Sequence, residues 1–153
     1  MAVKAIPDGY YSLTPYLVIK GAGDAIEFYK KVFGASELMR MPGPGGRIMH
    51  AELKIGNSVL MLADENPERG FLSPPSRGGA TGSVMFYTDD VDQTFKAAVA
   101  AGAKGDQPPT DMFWGDRMAN LTDPFGHSWA IATHKEDVSP EEMQKRAQSQ
   151  VPA

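Results

Sequence analysis

A chain of 153 residues with 42% apolar and 22% charged side chains can hold one domain with its own core, or two small modules sharing one. A formal charge of −4 without a basic stripe argues against a nucleic-acid partner, and the absence of cysteine removes disulfides, thiolate catalysis and zinc–thiolate sites together. No apolar run is long enough for a membrane span, and MAVKAIPDGYY lacks the basic-then-apolar layout of a signal peptide, so no membrane partner and residence in the cytoplasm are expected.

After a flexible start, Leu13–Ile19 reads as a strand that Pro15 restricts to an edge or a strand beginning. Asp24 is a candidate helix N-cap, and Ile26, Phe28, Tyr29, Val32 and Phe33 then recur at helical spacing until Gly34. Strands are expected at Glu37–Met41, Arg47–Ile55 and Ser58–Ala63, separated by the turn residues Pro42 to Gly46 and by Gly56-Asn57. The stretch Asp64 to Gly82 is rich in Pro, Gly, Ser and charge and reads as a linker or cavity lid.

Beyond it the order repeats: strand Ser83–Thr88, helix Val91–Ala101, a Pro-containing loop, and a hairpin of Arg117–Thr122 and His127–Thr133 about the turn Asp123-Pro124-Phe125-Gly126. Phe28 aligns with Phe95 and Val32 with Val99, so the repeat rests on order and helix anchors. The expected class is therefore α+β, with residues 11–64 and 83–134 as two βαβββ modules, 65–82 between them, and a tail from 135 carrying a short helix that Ser139-Pro140-Glu141-Glu142 would cap.

His50 and Glu52 lie two apart on one strand and so share a face, with Lys54 beyond them. They can act as a general base and its carboxylate partner, or as half of a displaced metal site; the alternative is a solvated or cross-strand hydrogen-bonded face. Trp114 and Arg117 can offer an aromatic wall and a bidentate anion clamp, or else a lid and an Asp116–Arg117 turn. On the last strand Trp129 is expected to be buried with its N–H satisfied, His127 to be a core histidine, and His134 to lie solvent-exposed at the strand end. Tyr16, Met61, Met85 and Tyr87 fall on inward positions and suit an organic ligand, or simply fill space. No nucleophile elbow, Walker loop or dinucleotide fingerprint occurs, and no cofactor is expected from motifs.

The segments AIEFYKKVFGA, HAELKIGNSVLMLADE and WGDR…DPFGHSWAIATHKEDV resemble the vicinal oxygen chelate superfamily of glyoxalases, bleomycin-resistance proteins and extradiol dioxygenases, nearest to its PhnB-like branch. The resemblance covers Leu13 to about Val138. It implies curved sheets around a cavity with helices outside, a homodimer, and either metal-independent binding of a small organic molecule or a metal-dependent lyase or isomerase of glyoxalase type. The superfamily's metal-ligand positions fall on Thr14, Met61, Ser83 and Ala130, which carry neither imidazole nor carboxylate. Ligand identity would then be set by the loops Asp64–Gly82 and Lys104–Trp114.

Overall fold

A computed structural model describes residues 3–150. The chain divides into two compact units: one runs to Thr81 and includes Pro124–His127, and the other holds Gly82–Asp123 and the chain from Ser128 onward. The 65–82 segment thus counts with the first unit, and so does the tip of the last hairpin.

In the first unit β1 (Tyr16–Ile19), α1 (Ala22–Phe33), β2 (Ser36–Pro42), β3 (Ile48–Ile55) and β4 (Ser58–Asp64) form a four-stranded sheet of order β1-β4-β3-β2. β1 runs parallel to β4 and the other neighbours are antiparallel. The segment after β4 is not a bare linker. It carries an Asn66–Phe71 bridge and the short helix α2 (Pro74–Arg77), whose two prolines sit in the first turn where no N–H is required.

The second unit repeats this plan with β5 (Ser83–Tyr87), α3 (Val91–Ala100), β6 (Lys104–Asp111), β7 (Asp116–Thr122) and β8 (Ser128–His134), in the order β5-β8-β7-β6. These are two separate mixed sheets of the expected α+β class. The loop expected after α3 is instead strand β6, Pro108 and Pro109 included. It lies at the sheet edge with two register shifts, where a residue without an N–H removes no indispensable ladder bond. A last helix, α4 (Pro140–Gln150), starts as expected from Ser139, whose hydroxyl accepts the Glu142 N–H at 3.2 Å.

The apolar spacing of α1 buries Ile26, Phe28, Tyr29, Val32 and Phe33, and Phe125 of the hairpin tip meets Phe28 and Tyr29 edge-on. Each such ring pair contributes roughly 1 kcal/mol beyond the area it buries. Gly34, at φ +64°, ends the helix in the left-handed conformation, its N–H donating back to Tyr29 O.

The start of α1 differs from expectation. Asp24 lies inside the first turn, and Gly21 at the cap position offers no side chain. The cap comes from Asp64 at the end of β4, whose Oδ1 accepts the N–H groups of Gly21 and Ala22 at 3.1 and 2.8 Å while Oδ2 accepts that of Ile48 at 2.7 Å. The second unit uses the same place. Met61 opposes Tyr16 and Ala130 opposes Met85; three residues further on stand Asp64 and Thr133. Thr133 Oγ1 accepts the first N–H of α3, from Val91, at 2.9 Å and donates to Thr88 O. Each sheet thus fixes its helix through one side chain on its last strand.

Replacing a capping side chain by alanine costs about 0.5–2 kcal/mol. A carboxylate that accepts three N–H groups belongs at the upper end, so Asp64→Ala should lower the unfolding free energy by about 2 kcal/mol in urea titrations. An unchanged midpoint would show that the helix start is held some other way.

Candidate functional site

Strand alternation places Ala51, Leu53 and Ile55 of β3 in the core and turns His50, Glu52 and Lys54 to the other face. Register brings Tyr16 opposite Met61 and Met61 opposite Glu52, so these residues share that open face. There they form a chain of hydrogen bonds. Tyr16 Oη and His50 Nδ1 lie 3.1 Å apart, His50 Nε2 and Glu52 Oε1 3.0 Å apart, and the Tyr10 hydroxyl donates to Glu52 Oε2.

Glu52 is buried, and the Tyr10 bond, followed by the His50 bond, holds its carboxyl below the usual glutamate range. An ionised carboxylate only accepts, so Nε2 must carry a proton. In the neutral ring Nδ1 is then a lone pair and takes the proton of Tyr16. Burial raises the Tyr16 phenol above its ordinary value, and the Glu52 contact does the same to Tyr10. Tyr10 lies in the stretch that reads as a flexible start, and no local pattern marks it.

In the second unit the polar cluster has a different centre. Asp116 is buried at the beginning of β7; its Oδ2 accepts the Tyr87 hydroxyl at 2.9 Å and the Trp114 indole N–H at 3.2 Å, and its Oδ1 faces His134 Nδ1 at 2.7 Å. Burial pushes the Asp116 carboxyl up, but donation from His134, Tyr87 and Trp114 outweighs it and leaves the group below the ordinary aspartate value. His134 Nε2 faces Asp137 Oδ1 at 3.0 Å. A carboxylate at each ring nitrogen favours the doubly protonated ring, and the His134 pKa is raised by Asp116 first and Asp137 second.

Gly115 makes this corner possible. Its carbonyl accepts the N–H groups of Lys135 and Glu136, its φ is +101°, and a Cβ there would stand 2.0 Å from Glu136 O.

Arg117, one residue along, points to the opposite face of the strand. Its Nε and Nη2 clamp Asp92 at 2.7 and 2.9 Å and its Nη1 reaches Asp111 at 3.0 Å, so its fork is occupied by the protein's own carboxylates. Asp116 and Arg117 form no pair with each other. Met85 and Tyr87 do share the face of Ala130, Ala132 and His134. His134 is solvent-exposed at its strand end and yet bonded to a buried carboxylate. Trp129 is fully buried and donates its indole N–H to Asp123 at 2.9 Å, and His127 Nε2 donates to Val18 O at 2.9 Å.

The sequence profile of the Glyoxalase/Bleomycin resistance protein/Dioxygenase superfamily matches residues 14–131. The chain belongs to this superfamily. An uncharacterized protein of Mycobacterium bovis is 38% identical over 153 residues, which is 98% of each chain. TioX from Micromonospora sp. ML1 superposes with a TM-score of 0.63 at 30% identity, over 81% of this chain and 98% of its own. The PhnB protein of Bacillus cereus, at 16% identity and a TM-score of 0.62 over 80% of this chain and 99% of its own, shares the fold.

Membership makes the metal question concrete. Carried over by the resemblance, the superfamily's ligand positions fall on Thr14 and Met61 in one unit and on Ser83 and Ala130 in the other, and the residues lying directly opposite Met61 and Ala130 are Tyr16 and Met85. Thioethers, an alkyl group and neutral hydroxyls do not hold a hard or borderline divalent ion against water. His50 has both ring nitrogens engaged, and among the described residues no three His, Asp or Glu side chains gather into a group that could hold an ion. The side chains present do not fit the metal.

A histidine whose pKa rises on folding contributes stability that is complete below its unfolded value of about 6.5 and is lost as pH rises through the folded value. Unfolding titrations should therefore show His134→Gln destabilised relative to the parent at pH 6 and nearly equal to it at pH 9. Equal loss at both pH values would contradict an imidazolium between Asp116 and Asp137.

Proposed function

We propose that this superfamily member binds a small organic molecule on the open faces of its sheets, without a metal ion. The observation that carries the reading is the set of large apolar side chains left exposed there: Tyr16, Met39 and Met41 in the first unit, Met85 and Tyr87 in the second. Each lies opposite a residue of the same face, Met39 against Glu52 and Met41 against His50. Methionine and tyrosine offer adaptable apolar surface with a few hydrogen-bonding points, which suits an organic ligand of irregular shape.

A second reading, a glyoxalase-type lyase or isomerase using His50 and Glu52, is favoured by the close pairing of those two side chains in a partly buried place. It requires an ion to polarise an enediolate, and the engaged ring of His50 supplies no free ligand.

Protein purified without chelator should contain less than about a tenth of an equivalent of nickel, zinc, manganese or iron by elemental analysis, and uncharged aromatic fragments should shift the methyl resonances of Met39, Met41, Met61 and Met85 in the presence of EDTA. A near-stoichiometric metal, or fragment shifts seen only after metal is added, would favour the lyase instead.

A further inference from the structure

The first unit contains a cavity of about 340 Å³ that opens beside Tyr16. Its apolar wall is made by Val18, Ile48, Met49, Ala63 and Phe71. What distinguishes it is the state of its polar groups. Tyr16 Oη lies 3.1 Å from His50 Nδ1, and with the ring protonated at Nε2 towards Glu52 alone the phenol gives its proton to Nδ1, so that its oxygen presents lone pairs to the cavity. Glu65 receives the Ser73 N–H and the hydroxyls of Ser73 and Ser76 on Oε2 alone, leaving Oε1 open. Asn66 Oδ1, in the same wall, is buried with no hydrogen-bond partner, a state that costs about 1–3 kcal/mol and that a small turn of the amide towards a ligand donor would relieve.

Two donors stand ready as well. Arg47 and Arg69 line the cavity, and neither guanidinium makes an ion pair or hydrogen bond among the described residues.

Charge then separates the candidates. The two guanidinium groups face the three carboxylates of Asp64, Glu65 and Glu68, a net of one negative charge that disfavours a simple anion, while the two guanidinium groups oppose a simple cation. The N–H groups that open α1 are satisfied by Asp64 and are not available to an anion.

A group that donates and accepts at adjacent atoms, carries no charge and sits on an apolar body meets all of these conditions. We propose that the cavity beside Tyr16 takes a neutral amide-bearing organic molecule. The amide N–H is received by Tyr16 Oη or Glu65 Oε1, its carbonyl by Arg47 or Arg69, and its apolar part lies against Val18, Met49 and Phe71. His50 and Glu52 act as positioning residues, because they keep the Tyr16 proton turned away from the ligand. This assignment rests on the proposed binding function and narrows it to one chemical class.

Four matched probes test it by two-dimensional NMR titration of the full chain: 4-phenylbutanamide, its methyl ester analogue methyl 4-phenylbutanoate, 4-phenylbutanoate and 4-phenylbutylamine. The amide should bind at least about tenfold more tightly than the other three, with shifts centred on Val18, Ala63 and Phe71. Tyr16→Phe, which keeps the ring and removes the acceptor, should shrink the preference for amide over ester to within about threefold, and Arg69→Gln should weaken the amide. Probes that bind on the open face with no preference for the amide would overturn the inference and leave the proposed function standing. Shifts mapping away from this cavity, or no binding by any probe, would also overturn it, and the metal and fragment measurements would then decide the proposed function separately.

Discussion

The imidazole of His50 has two nitrogens and both are committed, one to a buried carboxylate and one to a phenol. That constraint governs the chemistry of the first unit. A ring donating to Glu52 and accepting from Tyr16 is held in one tautomer, cannot turn a nitrogen to a metal ion without breaking a partly buried bond, and fixes the direction in which Tyr16 uses its oxygen. Removing His50 would leave the buried Glu52 carboxylate with one hydrogen bond fewer, whereas the Tyr16 end of the ring lies exposed and can be satisfied by water. A histidine next to a carboxylate is often read as catalytic machinery. Here it also serves as the element that orients a tyrosine at the edge of a cavity.

The two units share a topology and place their polar groups at different levels of it. Counting from the opposed pairs Tyr16–Met61 and Met85–Ala130, Glu52 corresponds to Asn120 and His50 to Met118, while Asp116 and Tyr87 correspond to Ile48 and Val18. The side chains by which the last strand of each unit holds its helix start, by contrast, occupy one equivalent position, as Asp64 in one unit and Thr133 in the other, where Asp90 also caps the helix. What the repeat retains is the way each helix is attached to its sheet. The open faces have diverged, with a Tyr16–His50–Glu52 network in one and a histidine between two carboxylates in the other.

Much of the architecture was legible because it depends on local pattern. The helical spacing of Ile26 to Phe33, the alternation of β3 and β8, the turn at Asp123 to Gly126 and the capping box at Ser139 are each contained within a few residues, and each element formed where its pattern lies. The sharing of one face by His50 and Glu52 followed from strand period alone, while their meeting with Tyr16 and Met61 depends on the register between strands. Four features were not legible, for physical reasons. The cap of α1 comes from Asp64, some forty residues away, and Asp24 satisfies the local rule without being needed. Strand β6 carries a Pro-Pro pair that reads as a loop until its edge position is known. The Asp116–His134 contact depends on the register of a hairpin and on a glycine that lets two backbones touch, and Tyr10 reaches Glu52 from a segment with no periodicity.

The most direct test of the central claim is the state of the His50 ring, read by long-range proton–nitrogen NMR correlation on the intact protein near neutral pH. A neutral ring protonated at Nε2, with Nδ1 accepting and the pattern unchanged by added zinc or nickel, is the expected result. A ring protonated at Nδ1, or a nitrogen resonance that shifts or broadens on stoichiometric addition of either ion, would contradict it.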